Sequence, residues 1–509
     1  MVILENIGKL AISLLIVIIG FFIVNYQESL IETRYFVEPA ENESLVLSQS
    51  KSFISGSQEL STYIYEGVLP IYPDLFHKLS VFVDSEKLAF LRLVSIFSFW
   101  ITSFVLFIYA FKTTMSYSIS LILTALYYGV AQHSLYFMMA RTDGLYIAFG
   151  SLSLIILGIL FQKKPQKKWI IFLTLIAIGF LSGLSVLTKQ SGLFFPIIIV
   201  FSLLFWSEKG GKNEKILFNL GVFLSSFFFI TIAYFISSPV SLQFFLNGLT
   251  LYASDFSMTH LFKQVVDLLL HYWWLISVSM LLLGCMIFDK RYRDVIFWLA
   301  IWFITIAVSV KLFGNDAAHY NNYIFFTLTF YFMVTSLWLS FKFKKIAYSI
   351  LFLGLVTSFF SVNQKFSNLE IQSIHKNYQS KILLNGLLND SEIFEYIANN
   401  KGNYLTGRVD FLLYFSNNEI SYEGSVLDAY YNQSRESDNK SIRQSLAQKR
   451  KEINDKIEAQ FFSGIILGIN NETIKNYPNI KEKYMKLKTQ ELESGDWPHI
   501  ISLWIPVPK

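Results

Sequence analysis

The chain has 509 residues, of which 53% are hydrophobic, 17% aromatic and only 16% charged, with a formal net charge of +5. A soluble domain carries about 25% charged residues, so this composition excludes an ordinary cytosolic enzyme, and the small positive excess belongs to membrane topology rather than to nucleic-acid binding. The charge is also unevenly spread: 36 of the 148 residues in 362–509 are charged, against about 12% of residues 1–361. The lone cysteine, Cys285, lies in an apolar run, which excludes an intrachain disulfide and reads as a small buried hydrophobe.

A bilayer-spanning helix needs roughly 20 apolar residues. In chain order, spans are predicted near 8–25, 88–110, 117–138, 144–161, 169–187, 191–206, 214–236, 267–287, 294–311, 321–342 and 346–361, about eleven in all. The 144–161 and 191–206 runs are short enough to be tilted or partly re-entrant. The first run has no small-residue cleavage site and reads as a retained helix that also targets the chain. Threading the runs in order puts fifteen basic residues on one side: Lys9, Lys112, Lys163, Lys164, Lys167, Lys168, Lys209, Lys212, Lys215, Lys290, Arg291, Arg293, Lys342, Lys344 and Lys345. The positive-inside rule makes that side cytoplasmic, with the N-terminus inside and the end of the chain outside. The expected architecture is an all-α polytopic membrane domain over 1–361, with an outer loop at 26–87, followed by a small α/β extracytoplasmic C-terminal domain over 362–509. Within the latter, Phe411–Phe415 and Phe461–Ile469 read as strands or short buried helices, and Ser441–Ala459 and Thr473–Leu487 as Lys- and Glu-rich surface helices.

Ionisable residues at a membrane edge are costly and therefore mark candidate sites. They gather on the predicted outer side. Glu38, Glu41 and Glu43 follow the first span; Arg141 and Asp143 sit in Met-Met-Ala-Arg-Thr-Asp-Gly; Lys189 and Gln190 sit in Val-Leu-Thr-Lys-Gln-Ser-Gly; and Lys311, Asn315, Asp316, His319 and Asn322 sit in and after Lys-Leu-Phe-Gly-Asn-Asp. Cations and carboxylates on one face suit a phosphate-bearing substrate attacked by a hydroxyl: Arg and Lys hold the phosphate, where negative charge grows, and a carboxylate accepts the hydroxyl proton. Each has a plainer reading. Arg141 and Lys189 could snorkel to the interface, Asp143 could cap the helix that follows it, Glu38 suits a solvated loop, and His319 suits an interfacial hydrogen bond better than a metal. His271-Tyr-Trp-Trp274 reads as an aromatic belt. Asn42-Glu-Ser is formally a glycosylation sequon.

Taken in order, these segments resemble those of GT-C fold integral-membrane glycosyltransferases, the broad family that includes protein mannosyltransferases and aminoarabinose lipid A transferases. The resemblance rests on Glu41-Asn42-Glu43, Tyr72-Pro-Asp-Leu-Phe76, Arg92-Leu-Val-Ser95, Ala140-Arg-Thr-Asp143, Leu187-Thr-Lys-Gln190, Gly314-Asn315 with Asn322-Tyr323, and the closing Trp504-Ile-Pro506. Asn42 stands where many relatives carry an acid or Gly, and Asp74 and Thr142 replace family prolines. The resemblance implies an inverting transfer of a monosaccharide from a polyprenyl-phosphate-linked donor to a hydroxyl of an extracytoplasmic glycan, lipid or protein, in a bacterial plasma membrane. It implies Glu43, Glu41 and Asp143 as the catalytic residues, with Glu43 or Glu41 the base, donor phosphate on Lys189, Arg141, Gln190 and Lys311, and acceptor binding or site-shaping by Tyr72, Asn315, Asp316, His319 and Asn322. Spacing to Gln49 favours Glu43. No His/Asp cluster has ligand spacing, although Glu43, Asp143 and Asp316 meeting in space would admit a divalent metal. The competing readings are a transporter or lipid flippase, which would place charges near the bilayer midplane, an oligosaccharyltransferase-like enzyme of the same fold, whose double-Trp-Asp motif is missing, and an inert relative acting as a scaffold.

Overall fold

The computed structural model describes residues 75–79, 87–129, 142–162, 167–207, 213–238, 242, 245–246, 257–313, 324–340, 342–357, 392–407, 420–423, 451–467, 474, 477–494 and 497–508. These residues form a helical bundle followed by a small mixed sheet. The helices are α1 (Lys87–Thr114), α2 (Tyr117–Gly129), α3 (Thr142–Gln162), α4 (Lys168–Thr188), α5 (Phe194–Ser207), α6 (Asn213–Ser237), α7 (Met258–His271), α8 (Trp273–Phe288), α9 (Tyr292–Phe313), α10 (Ile324–Leu337) and α11 (residues 344–357). A four-residue helical turn, Leu75–Lys78, precedes α1.

Among the described residues five stretches are long and apolar enough to cross a membrane: Phe90–Thr114, Thr142–Phe161, Lys168–Thr188, Ile216–Ser237 and Tyr292–Val310. The chain is therefore built as a polytopic integral membrane protein. The run at 144–161 is full length. That at 191–206 is not: it opens with a 3-10 turn, Gln190–Leu193, and continues as the 14-residue α5. The run at 267–287 departs from expectation. Leu261–Leu270 and Trp273–Phe288 meet at a bend of 75° around Tyr272, so this stretch is a broken helix and not one straight span. α7 exposes Met258, Phe262, Leu269 and Leu270 and buries Gln264 and Leu268.

Local chemistry sets the helix ends. α1 stops at Met115, whose φ of 52° lies in the left-handed region, and the Ser116 hydroxyl accepts the Ile119 N–H to open α2. α8 stops at Lys290, also left-handed (φ 56°), where the Arg291 N–H returns to the Met286 carbonyl at 2.8 Å. Serines and threonines inside the helices return their hydroxyls to the preceding turn, as Thr102 does to the Ser98 carbonyl and Thr305 to Ile301. Between helices, Thr305 and Thr329 pair at 2.8 Å, and the Tyr331 hydroxyl donates to the Leu106 carbonyl. α3 packs along α4 and α1, and α4 along α6, so these four helices form one packed group.

The later residues hold α12 (Glu392–Asn399), β1 (Tyr404–Gly407), β2 (Ile420–Glu423), α13 (residues 451–458), β3 (Gly464–Leu467), β4 (Tyr484–Ser494) and β5 (Trp497–Pro506). The sheet order is β2-β1-β3-β5-β4, parallel across β2, β1 and β3 and antiparallel thereafter. Leu405, Ile453, Ile457, Phe462, Ile465 and Tyr484 form its core. The Phe461–Ile469 run thus contains a strand, and α13 lies inside the expected Ser441–Ala459 helix. Phe411–Phe415 lies outside the described residues. The expected helix over Thr473–Leu487 is corrected: after the short turn Ile480–Lys483 the chain enters β4 at Tyr484. Lys and Glu favour helix in isolation, but pairing of ten positions from Tyr484 to Ser494 with β5 outweighs that preference.

Candidate functional site

α3 and α4 run antiparallel in contact, so the start of α3 and the end of α4 share one end of the bundle. The first carries a partial positive charge from unpaired N–H groups, the second a partial negative charge from unpaired carbonyls. The sequence places complementary charges there: Asp143 in the first turn of α3 and Lys189 just past the last turn of α4. Their side chains meet, with the Lys189 Nζ donating to Asp143 Oδ1 at 2.7 Å. The pair is deeply buried, Asp143 at 0% and Lys189 at 7% exposure. Lys189 therefore does not snorkel, and Asp143 lies inside the helix rather than at its cap. Gln190, the next residue, is also buried and opens the 3-10 turn.

Close packing fixes this geometry. Lys189 is extended (φ −156°, ψ 141°), its N–H donating to the Ser185 carbonyl while its own carbonyl accepts from Gly192 at 2.9 Å. A Cβ on Gly192 would stand 2.4 Å from the Ser185 carbonyl oxygen, so only glycine lets the turn fold back this tightly. The Ser185 hydroxyl donates to the Tyr146 carbonyl at 2.7 Å, tying α4 to α3. Beneath the ammonium lies the fully buried Tyr146 ring, its centroid 5.5 Å from Nζ. On the other flank Gly144 meets α1: a Cβ there would be 2.8 Å from the Ser95 carbonyl oxygen. One turn before Ser95, Arg92 is buried to 2% exposure.

Of the residues singled out from the sequence, the structure brings Asp143, Lys189 and Gln190 to one place. Lys311 falls in the last turn of α9. Glu41, Glu43, Tyr72, Arg141, Asn315, Asp316, His319 and Asn322 lie outside the described residues. The same holds for two of the three carboxylates that would gather around a divalent metal; among the described residues no group of three His, Cys, Asp or Glu side chains is placed to hold one. Tyr146, Ser185, Ser95 and Arg92 were not singled out as site residues. Arg92 had a signal, a guanidinium buried near the start of a long apolar run. Tyr146 and Ser185 had none, because a tyrosine and a serine in apolar helices are unremarkable until packing sets them against the ion pair.

No protein-family model matches the sequence, and no curated protein matches it. Two solved structures of ArnT from Cupriavidus metallidurans do match the fold. The one bound to undecaprenyl phosphate gives a TM-score of 0.55 at 11% identity, covering 97% of this chain and 98% of that one. The apo state gives 0.53 at 13% identity, with the same coverage. The chain has a GT-C-like fold. A likeness of this extent takes in both the helical bundle and the terminal sheet. In this GT-C-like fold the buried Asp143–Lys189 pair is the described feature in which chemistry-bearing groups converge.

Proposed function

We propose that the chain is an inverting glycosyltransferase that moves a monosaccharide from a polyprenyl-phosphate-linked donor to a hydroxyl of an extracytoplasmic glycan, lipid or protein. The carrying observation is the buried Asp143–Lys189 pair at one end of a GT-C-like fold. An ammonium held in place by a carboxylate and an aromatic ring is preorganised for a second anion, and a phosphate arriving at that end finds Lys189 already aimed. In the proposed site Arg141, Gln190 and Lys311 join Lys189 on the phosphate, and Asp143 sets the position of the Lys189 ammonium. The outer loop supplies the base, Glu43 in preference to Glu41, and Tyr72, Asn315, Asp316, His319 and Asn322 shape the acceptor side. The step is a single displacement: the acceptor oxygen bonds to the anomeric carbon, the bond from that carbon to the phosphate oxygen breaks, polyprenyl phosphate leaves with the electron pair, and the hydroxyl proton passes to the carboxylate. Eleven spans, a cytoplasmic N-terminus and an extracytoplasmic domain over 362–509 in a bacterial plasma membrane complete the proposal.

The arrangement of charge supports an enzyme over a transporter. In every described span, Asp, Glu, Lys and Arg lie within about two turns of an end, leaving the middle free of them. The test is transfer of a labelled sugar from polyprenyl phosphate to an envelope acceptor fraction by the purified chain. Glu43→Gln is expected to abolish transfer while leaving donor binding and thermal stability unchanged; wild-type transfer by that variant would overturn the assignment of the base.

A further inference from the structure

Gly144 lies against the backbone of Ser95 and Gly158 against Tyr109, so α1 and α3 run parallel. Thr142, two residues before Gly144, is therefore level with Leu93 and beside Arg92. Arg92, Asp143 and Lys189 are the three Lys, Arg, Asp or Glu residues buried among the described ones, and all belong to this end of the bundle. Two are positive and one is negative, and the opening of α3 adds the partial positive charge of a helix N-terminus, so this end favours an anion.

Thr142 is the first residue of α3 and is 1% exposed, and its hydroxyl has no hydrogen-bond partner among the described residues. Thr102, Thr188 and Thr305 each return the hydroxyl to a carbonyl one turn earlier. Thr142 has no earlier turn to return to, because the helix begins with it. Side chains of a helix lean toward its N-terminus, so the side chain of the first residue projects into the opening of α3. The same opening presents backbone N–H groups that no carbonyl of the helix can accept. A buried hydroxyl left without a partner is costly, and in an opening that favours negative charge the group that satisfies it is an oxyanion.

Resting on the donor reading above, we propose that Thr142 is a further ligand of the donor phosphate. Its hydroxyl donates to a phosphate oxygen seated over the opening of α3, while the Lys189 ammonium, held by the neighbouring Asp143, meets the same phosphate. The contact strengthens as polyprenyl phosphate leaves, because negative charge grows on the oxygen that accepts it. A hydrogen bond from a neutral hydroxyl to a charged oxygen is worth about tenfold in affinity.

The experiment measures binding of undecaprenyl phosphate to the full chain in nanodiscs, with thermal unfolding of each variant alongside. Thr142→Val keeps the shape of the side chain and removes the hydroxyl, whereas Thr142→Ser keeps the hydroxyl. Thr142→Val is expected to bind about tenfold more weakly than the wild type while unfolding at the same temperature or higher, since it removes a buried hydroxyl without a partner. Thr142→Ser is expected to retain most of the affinity. Should the valine variant not fold, Thr142→Pro takes its place with the same expected loss, because proline fits the first position of a helix. Wild-type affinity in Thr142→Val overturns the contact, as does an equal loss in Thr142→Ser. Lost affinity in company with a lowered unfolding midpoint also overturns it, and makes the hydroxyl part of the fold alone. Failure of the wild type to bind undecaprenyl phosphate overturns the donor reading itself.

Discussion

At Lys189 and Asp143 each buried charge is stabilised by the other and by the helix ends beside them, with the Tyr146 ring against the ammonium. Removing one partner leaves an uncompensated buried ion. Lys189→Ala is therefore expected to lower stability by about 3–5 kcal/mol, read as a drop in the unfolding midpoint in detergent. Replacing both charges by apolar groups of similar volume, as in Lys189→Met with Asp143→Leu, removes that penalty, so the double variant should regain most of the lost midpoint. Its transfer activity should stay lost if Lys189 binds phosphate. Recovery of stability together with activity would make the pair purely structural, while failure to recover stability would show that other groups around the pair depend on its charge.

Elements differ in how far they could be read from residues alone. The five long spans follow from apolar runs, since nothing but length and hydropathy is needed to specify them. The Leu187-Thr-Lys-Gln190 turn stands out as a candidate site in the sequence because a lysine at the end of an apolar helix carries an evident cost. Its partner within the bundle does not: that Lys189 meets Asp143 depends on how α3 packs on α4, tied by Ser185 to the Tyr146 carbonyl, and on α1, whose close approach Gly144 permits. Gly144→Ala should push α3 from Ser95, costing about 1–3 kcal/mol in thermal stability, and should weaken donor binding more than an alanine on the exposed side of the same helix. In the sheet, Thr473–Leu487 reads as helix from its Lys and Glu, and only the partner strand β5, which closes the chain, reveals otherwise. That strand pairing also buries Tyr484, whose hydroxyl donates to the Phe462 carbonyl and accepts the Phe462 N–H at 3.1 Å. Burial pushes its phenol up to about 12 from the ordinary 10. The unfolded phenol ionises first as pH rises, so the stability that depends on a neutral Tyr484 is full below pH about 10 and lost between about 10 and 12. Burial raises Tyr404 in the same direction. Tyr484→Phe should make sheet unfolding less sensitive to pH across that window, seen by circular dichroism alongside tyrosinate absorbance, although it also forfeits a hydrogen bond at neutral pH.

For the molecule as a whole, the distribution of charge makes a prediction about sidedness. The turn between α3 and α4, the turn between α8 and α9, the segment before α11 and the first turns of α4, α9 and α11 carry Lys167, Lys168, Lys290, Arg291, Arg293, Lys342, Lys344 and Lys345, and Asp289 links two of these regions by pairing with Lys342. The Asp143–Lys189 pair is at the opposite end of the same helices. If α11 and the residues after it complete the last of eleven spans, the sheet lies on the side of the ion pair, where it can reach the substrate. Fourteen residues of α11 rise only about 21 Å, short of the roughly 30 Å core, so the crossing has to draw on residues beyond 357. The lone cysteine makes this directly measurable. Cys285 is buried, and Cys285→Ala should give a silent background. In that background, cysteines replacing Lys168 and Lys344 should react with a membrane-impermeant maleimide only after the cells are opened, whereas a cysteine replacing Lys481 should react on intact cells. Labelling of Lys344→Cys and Lys481→Cys from the same side would mean that the chain does not cross between them. The sheet would then face away from the candidate phosphate site, and a role for it in acceptor selection would be excluded.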